Sequence, residues 1–337
     1  MSLALDVRDR PLTERLLALA EAVPAAEAGV ASACGFASAS NLRGIIAPLL
    51  ASTVPFQRRL GVTVCGMHQA DPGAALSNAI TDPDAGLRAR ALHVAVRCGR
   101  ADLLPFCLKE LRREDASSRC VAARAALLLG DRGAAIDVLR ASATAPAGRR
   151  IGAADLLLAV LSQLGARALL KLLAAQRDVR ALIRGVGTAG DTHYLPWLIT
   201  QMSEPDWARV AGESFSLITG IDIADSGLEG EALTAGHGPS DDPDDASIDM
   251  DEDESLPWPD PQKIGAWWQA HRDGFATGVR YFMGAPVSRE HCINILKNGY
   301  QRQRILAAHY LCLLQPGTPL FNTSAPAWRQ QRLLAKM

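Results

Sequence analysis

The sequence predicts an all-α fold: an α-solenoid of stacked helical hairpins, broken by an acidic disordered insertion. Three observations carry this expectation. Hydrophobic residues make up 48% of the chain but aromatics only 5%, so the apolar mass is mostly Ala, Leu and Val, which suits closely packed helices better than a β-sandwich. Four consecutive segments, beginning at Val54, Ala85, Ala116 and Gly148, repeat one pattern. Each has a basic opening, an apolar helix, a short polar break and a second apolar helix. Lastly, composition changes abruptly between Ile221 and Pro261, where acids accumulate without a single Lys or Arg. At 337 residues the chain is long enough for one extended array or two ordinary domains, with a substantial core in either case.

Residues 1–40 are read as an N-terminal helical cap. Asp6, Arg8, Asp9 and Arg10 stand where a secretory signal would place its apolar region, so the chain is expected to be cytoplasmic. No membrane span is expected either. The longest apolar stretch, Leu156 to Leu161 with Ala153 and Ala154 nearby, falls short of the roughly 20 residues a span needs.

Residues 41–220 carry the repeats. Their breaks fall at Asp71-Pro72, Gly99-Arg100, Gly130-Asp131 and Gly165-Ala166, with a less regular fifth at Gly190-Asp191. Gly99 to Gly130 spans 31 residues, as do Asp71 to Asp102 and Asp84 to Asp115. Leu87, Ala91, Leu92 and Ala95 recur at helical spacing, and Leu103, Leu104, Cys107, Leu108 and Leu111 do so after the Gly99 break. Glycine past a helix end accepts a left-handed backbone at little cost. One such helix pair is too small to bury its own faces, so neighbours must stack and share an elongated core.

Asp82-Pro83-Asp84, then Leu87-Arg88 and Ala91, followed by Gly99 and Leu108, resembles the short HEAT repeat first described in phycobilin lyases. The resemblance implies an Asp that closes an inter-repeat turn and an Arg that pairs with neighbouring turns along the stack. Arg58, Arg88, Arg119, Arg149 and Arg180 are the candidates for that Arg, as a ladder within the fold rather than a ligand site. It implies no handling of pigments, because the fold hosts many binding roles.

Residues 221–261 are read as an acidic flexible loop. They hold fourteen acids, leaving 22 acidic against 35 basic residues elsewhere, so a formal −14 faces about +13 behind an overall −1. Asp241, Asp242, Asp244, Asp245, Asp251, Glu252, Asp253 and Glu254 are its candidate regulatory residues. Three readings stand: a solvated insertion, a segment lying against the basic array and competing with an acidic partner, or a calcium loop. The third fails. Asp249-x-Asp251-x-Asp253 starts like an EF-hand, but that loop needs Gly at its sixth place and Glu at its twelfth, where Glu254 and Asp260 stand.

Residues 262–337 are read as a C-terminal helical capping module. Asp260-Pro261 suits a helix start, leading into a helix with Trp267 and Trp268. That pair suits packing against the end of the array, and with Trp258 it supplies the aromatic candidates for an interface. Helices over Ser288 to Asn298 and Tyr300 to Leu314 follow. The order of Gly212-Glu213-Ser214-Phe215-Ser216-Leu217-Ile218-Thr219-Gly220, an acidic insert, Leu256-Pro257-Trp258-Pro259-Asp260-Pro261, the Trp-Trp helix, Arg280-Tyr281-Phe282-Met283-Gly284, Gln301-Arg302-Gln303-Arg304 and Pro316-Gly317-Thr318-Pro319-Leu320-Phe321 is similar to a bacterial HEAT-repeat family often encoded in type VI secretion gene clusters. The likeness covers about residues 40 to 335. It implies association with secretion, as an immunity protein or an effector adaptor, and brings no catalytic residue with it.

No Walker loop, GxSxG elbow, HExxH or dinucleotide fingerprint is present. The seven histidines lie on separate elements, and His93 is read as a core or ladder residue. The seven cysteines form no CxxC pair and read as reduced core residues, so neither a metal nor another cofactor is expected. The expectation is a non-catalytic scaffold for a protein partner, a secretion effector or a component of the apparatus. A nucleic-acid-binding array using a basic face is the alternative, and a lyase-like enzyme the more remote one.

Overall fold

A computed structural model describes residues 1–145, 152–233 and 251–337. Among them, nineteen α-helices, four 3-10 turns and one two-residue antiparallel ladder account for the regular structure. The fold is all-α. No helix among the described residues is long and apolar enough to cross a membrane. Contacts divide the chain into two compact units, Met1–Ser142 with Cys292–Met337, and Ala143–His291. This grouping cuts across the 262–337 module expected from composition.

In the first unit, α1 (Ser2–Asp6), α2 (Arg10–Ala22) and α3 (Glu27–Phe36) pack on one another. Leu5, Ala20, Val30 and Cys34 join Leu49, Phe56 and Leu60 of the next helices in one buried cluster. Then short and long helices alternate: α4 (Ile46–Ala51), α5 (Pro55–His68), α6 (Ala74–Ile80), α7 (Ala85–Arg97), α8 (Leu104–Glu110) and α9 (Ala116–Leu128), followed by α10 (Ala134–Ala143). The long helices pack in succession, α5 on α7 and α7 on α9, while α4, α6 and α8 each lie against the long helix that follows.

Local chemistry sets these boundaries. Asp84 and Asp115 cap α7 and α9 by accepting the N–H of Leu87 and of Ser117 and Ser118, satisfying donors that have no partner within the helix. Gly99, at φ +68°, and Gly130 follow their C-terminal ends. Leu87, Ala91, Leu92 and Ala95 are buried as the period required. Close approach matters too: a Cβ on Gly66 of α5 would stand 2.5 Å from a Val94 methyl of α7.

The second unit keeps the packing order without the strict alternation of lengths, in α11 (Ala153–Val160), α12 (Gln163–Ala174), α13 (Val179–Ala189), α14 (Leu195–Gln201) and α15 (Ala208–Thr219). Here α11 packs on α13 and α13 on α15. The fourth break is displaced from the expected Gly165-Ala166, which lies inside α12. Leu161 is extended and Ser162 caps α12 by accepting the Gly165 N–H, so the chain turns three residues earlier. Beyond residue 251 come α16 (Pro261–His271), capped by Asp260, then β1 (Tyr281–Phe282), β2 (Ala285–Pro286) and α17 (Arg289–Asn298). Finally α18 (Gln301–Leu314) and α19 (Ala327–Leu334) rejoin the first unit, with α18 against α9.

Each unit carries an irregular segment laid over helix C-termini. In the first, the Leu320 N–H donates to the Val96 carbonyl and Asn322 Nδ2 to that of Met67. Arg329 donates to the carbonyls of Gly35, Ala37 and Met67. Thus residues 316–329 cover the ends of α3, α5 and α7. In the second, Arg280 donates to carbonyls of Leu158, Ala159, Leu161 and Ala189. The N–H groups of Tyr281, Met283 and Gly284 take those of Gly190, Leu217 and Ile218, covering the ends of α11, α13 and α15. These carbonyls have no partner inside their own helices, and the overlying segments supply one.

Candidate functional site

Three of the ladder arginines share one geometry. Arg58, Arg88 and Arg119 are each the fourth residue of a long helix. From there the side chain folds back, so that Nη1 donates to the carbonyls five and six residues earlier. These are Ser52 and Thr53 for Arg58, Asp82 and Pro83 for Arg88, and Arg113 and Glu114 for Arg119. The remaining nitrogens reach neighbours: Arg58 Nη2 lies 2.9 Å from Asp82 Oδ2, and Arg88 Nε 3.3 Å from the buried Glu110. Such a side chain fixes the turn that precedes its helix. Arg149 lies outside the described residues.

Arg180 departs from this set. It is the second residue of α13, where the ladder position is held by Leu182, and it carries no turn carbonyl among its hydrogen bonds. Its Nη2 is 2.5 Å from Asp253 Oδ1 and 3.3 Å from Glu252. Arg209 stands at the same second position of α15, and its Nη2 is 2.5 Å from Asp251 Oδ2. Since α13 and α15 pack side by side, the two guanidiniums form a pair that takes the two carboxylates of an Asp-x-Asp sequence. Trp258 completes the seat, its ring centroid 4.6 Å from the Arg209 guanidinium carbon.

The segment bearing these acids is held at both ends. The Gly230 N–H donates to the Trp258 carbonyl and the Asp260 N–H to that of Leu228, with a bridge between Glu229 and Pro259. Residues 228–230 and 258–260 therefore clamp together, and Asp251 to Asp253 return onto the helix starts. The Asp253 N–H also donates to Asp251 Oδ1 at 2.9 Å, which fixes the spacing of the two carboxylates. The hydrogen bond from Arg209, then that from the Asp253 N–H, hold the Asp251 carboxyl below its usual range. The bond to Asp253 raises Arg180. Asp253 is only 4% exposed, whereas Glu252 and Glu254 face solvent. Asp241, Asp242, Asp244 and Asp245 lie outside the described residues, whereas residues 228–230 and 251–260 of the loop expected to be flexible are tied down by these bonds.

The tryptophan pair is absorbed into packing. Trp268 is buried and lies 5.5 Å from the Phe275 ring. Half-buried Trp267 meets Phe215 edge-on at 5.8 Å and stacks on His271 at 4.4 Å. Burial pushes the thiols of Cys34 and Cys65 up to about 11 and those of Cys107, Cys292 and Cys312 up to about 12, so these five are protonated at neutral pH. Among the described residues no three His, Cys, Asp or Glu gather as a metal-ligating group.

Sequence reasoning passed over Arg209, Arg280 and Arg329. A signal for the first existed: Arg58, Arg88 and Arg119 stand four residues after their N-caps, whereas Arg180 and Arg209 stand two after Asp178 and Trp207. No family model matches the chain, and neither does any curated protein or solved structure.

Proposed function

We propose that the protein is a non-catalytic, protein-binding scaffold of HEAT type, an α-solenoid of stacked helical hairpins. In this reading it serves in the bacterial cytoplasm as an accessory protein of a type VI secretion system, either an immunity protein or an effector adaptor. The observation that carries the scaffold reading is the threefold recurrence at α5, α7 and α9. Each starts with an arginine folded back onto the carbonyls of the preceding turn, and each packs on the next. Repeats that contact chiefly their neighbours leave long side surfaces for partners. The secretion half rests on the order of motifs from Gly212 to Phe321.

The test is affinity capture from a secreting strain, using the full chain and a chain lacking residues 236 to 255. Co-purification of an effector or an apparatus component is expected, and recovery of neither from an actively secreting strain overturns the reading. An immunity protein protects recipient cells against one cognate toxin, whereas an adaptor is required for that effector to leave the cell. The formal +13 outside residues 221–261 favours nucleic acid as the second reading. That reading requires a mobility shift on duplex DNA that weakens steeply with salt.

A further inference from the structure

We propose that Arg180 and Arg209 form a reading site for an Asp-x-Asp segment of a protein partner, which the chain's own Asp251 and Asp253 occupy in the free protein as an internal competitor. The proposal deepens the scaffold reading and rests on it for the identity of the occupant as a protein.

Position comes first. Two arginines at the second residue of adjacent long helices project from helix N-termini, where the backbone dipoles favour negative charge. Neither arginine carries a turn, unlike Arg58, Arg88 and Arg119, so the pair is not needed for the ladder. Trp258 lies under one guanidinium at 4.6 Å and orients it before any acid arrives. The spacing is selective as well. The two acids it buries against the arginines are two residues apart, while Glu252 between them keeps its side chain 72% exposed and reaches Arg180 Nη2 only from the rim, at 3.3 Å.

The present occupant also fits imperfectly. Arg180 meets Asp253 and Glu252 only through Nη2, and its Nε is buried without a hydrogen-bond partner. A guanidinium offers parallel donors that a single carboxylate takes two at a time, and such bidentate pairs are the stronger ones. A buried donor left unpaired is costly. An incoming carboxylate that takes Nε together with Nη2 therefore gains what Asp253 leaves unused. The internal pair nevertheless competes well, because it is tethered at residues 228–230 and 258–260 and acts at high effective concentration. Closure of the seat lowers the apparent affinity for any outside acid by the fraction of molecules left open.

The experiment uses the full chain and a fluorescein-labelled peptide with this chain's own sequence from Asp249 to Leu256, followed by fluorescence anisotropy at low salt. Asp251→Asn with Asp253→Asn empties the seat of charge, and this variant is expected to bind the peptide at least tenfold more tightly than the wild-type chain. Adding Arg180→Gln and Arg209→Gln to it returns binding to the wild-type level or below. Asp251→Asn alone, which leaves the more deeply buried Asp253 in place, is expected to give a smaller gain in the same direction and keeps the test decisive if the double variant does not fold. Equal peptide affinity for wild type and the folded Asn variants overturns the proposal, as does tight binding that survives loss of both arginines. Binding of duplex DNA to the emptied seat as tightly as the peptide overturns it in favour of phosphate recognition. Because the peptide assay needs no secretion component, its outcome is separable from that of the capture experiment.

Discussion

Gly227 and Gly99 both hold left-handed backbone, at φ +67° and +68°, but their surroundings differ. Around Gly227 an added Cβ meets nothing within 4 Å, while at Gly99 it would stand 2.3 Å from the Gly317 carbonyl oxygen. Gly227→Ala is therefore expected to cost about 1 kcal/mol, the penalty of the left-handed conformation alone. Gly99→Ala is expected to cost at least about 1 kcal/mol more, since an Ala there displaces backbone. Urea denaturation of the two variants side by side reads the difference. Arg88 illustrates the opposite sensitivity. It is 8% exposed, holds two turn carbonyls and faces Glu110, itself 6% exposed. Arg88→Met strands that carboxylate with Arg113 alone, and a loss of about 3 kcal/mol is expected in the same assay. His309 gives a pH dependence. Burial first, then the Arg124 and Arg97 guanidiniums and the His93 ring, push it from 6.5 down to about 4. Between those values the unfolded chain binds a proton that the folded chain refuses, so stability falls as pH falls through this window. His309→Gln is expected to recover on the order of 2 kcal/mol of the stability lost between pH 7 and pH 4.5, read as a flatter acid limb.

Among the elements, the covering segments depend most on single side chains. Arg329 is 7% exposed and has three carbonyls as partners and no carboxylate. Arg329→Gln is expected to cost about 2–3 kcal/mol and to open residues 316–334 to limited proteolysis while α5, α7 and α9 stay protected; uniform cleavage of the whole unit would contradict this. The same segments mark how far the sequence is legible. Helix starts were readable because their signals are local: Asp84, Asp115 and Asp260 each sit beside the N–H groups they cap. Gly99, Gly130 and Gly190 were readable as ends for the same reason, although the sequence did not show that Gly99 and Gly190 also make room for another stretch of backbone. Gly165 misled because glycine, although favoured past a helix end, is also tolerated in the first turn of a helix, here one capped by Ser162. The role of Arg280, noted only within its motif, and that of Arg329 were invisible, since a carbonyl oxygen has no sequence identity and an arginine aimed at several of them looks like any other. The Arg180 and Arg209 seat was half legible: the excess of acid against basic body was evident, but pairing Asp253 with Arg180 links residues 73 apart.

For the molecule as a whole, charge is segregated along the chain more than its net −1 suggests. Removing residues 236 to 255 deletes nine acids and no Lys or Arg, which takes the formal charge from −1 to +8. The shortened chain is expected to be retained on a cation exchanger at pH 7 and low salt while the full chain flows through; identical elution would show that the acidic run does not govern the protein's electrostatic behaviour. The first unit is also discontinuous, since Cys292–Met337 belongs with Met1–Ser142. That arrangement has a consequence in time rather than in space. Residues 316–329 leave the ribosome only after the whole of the second unit has been made, so the carbonyls they pair with at the ends of α3, α5 and α7 wait through that interval without them. Helices synthesised early are thus completed late, and a nascent chain halted before residue 316 presents α3, α5 and α7 without the segment that covers their ends.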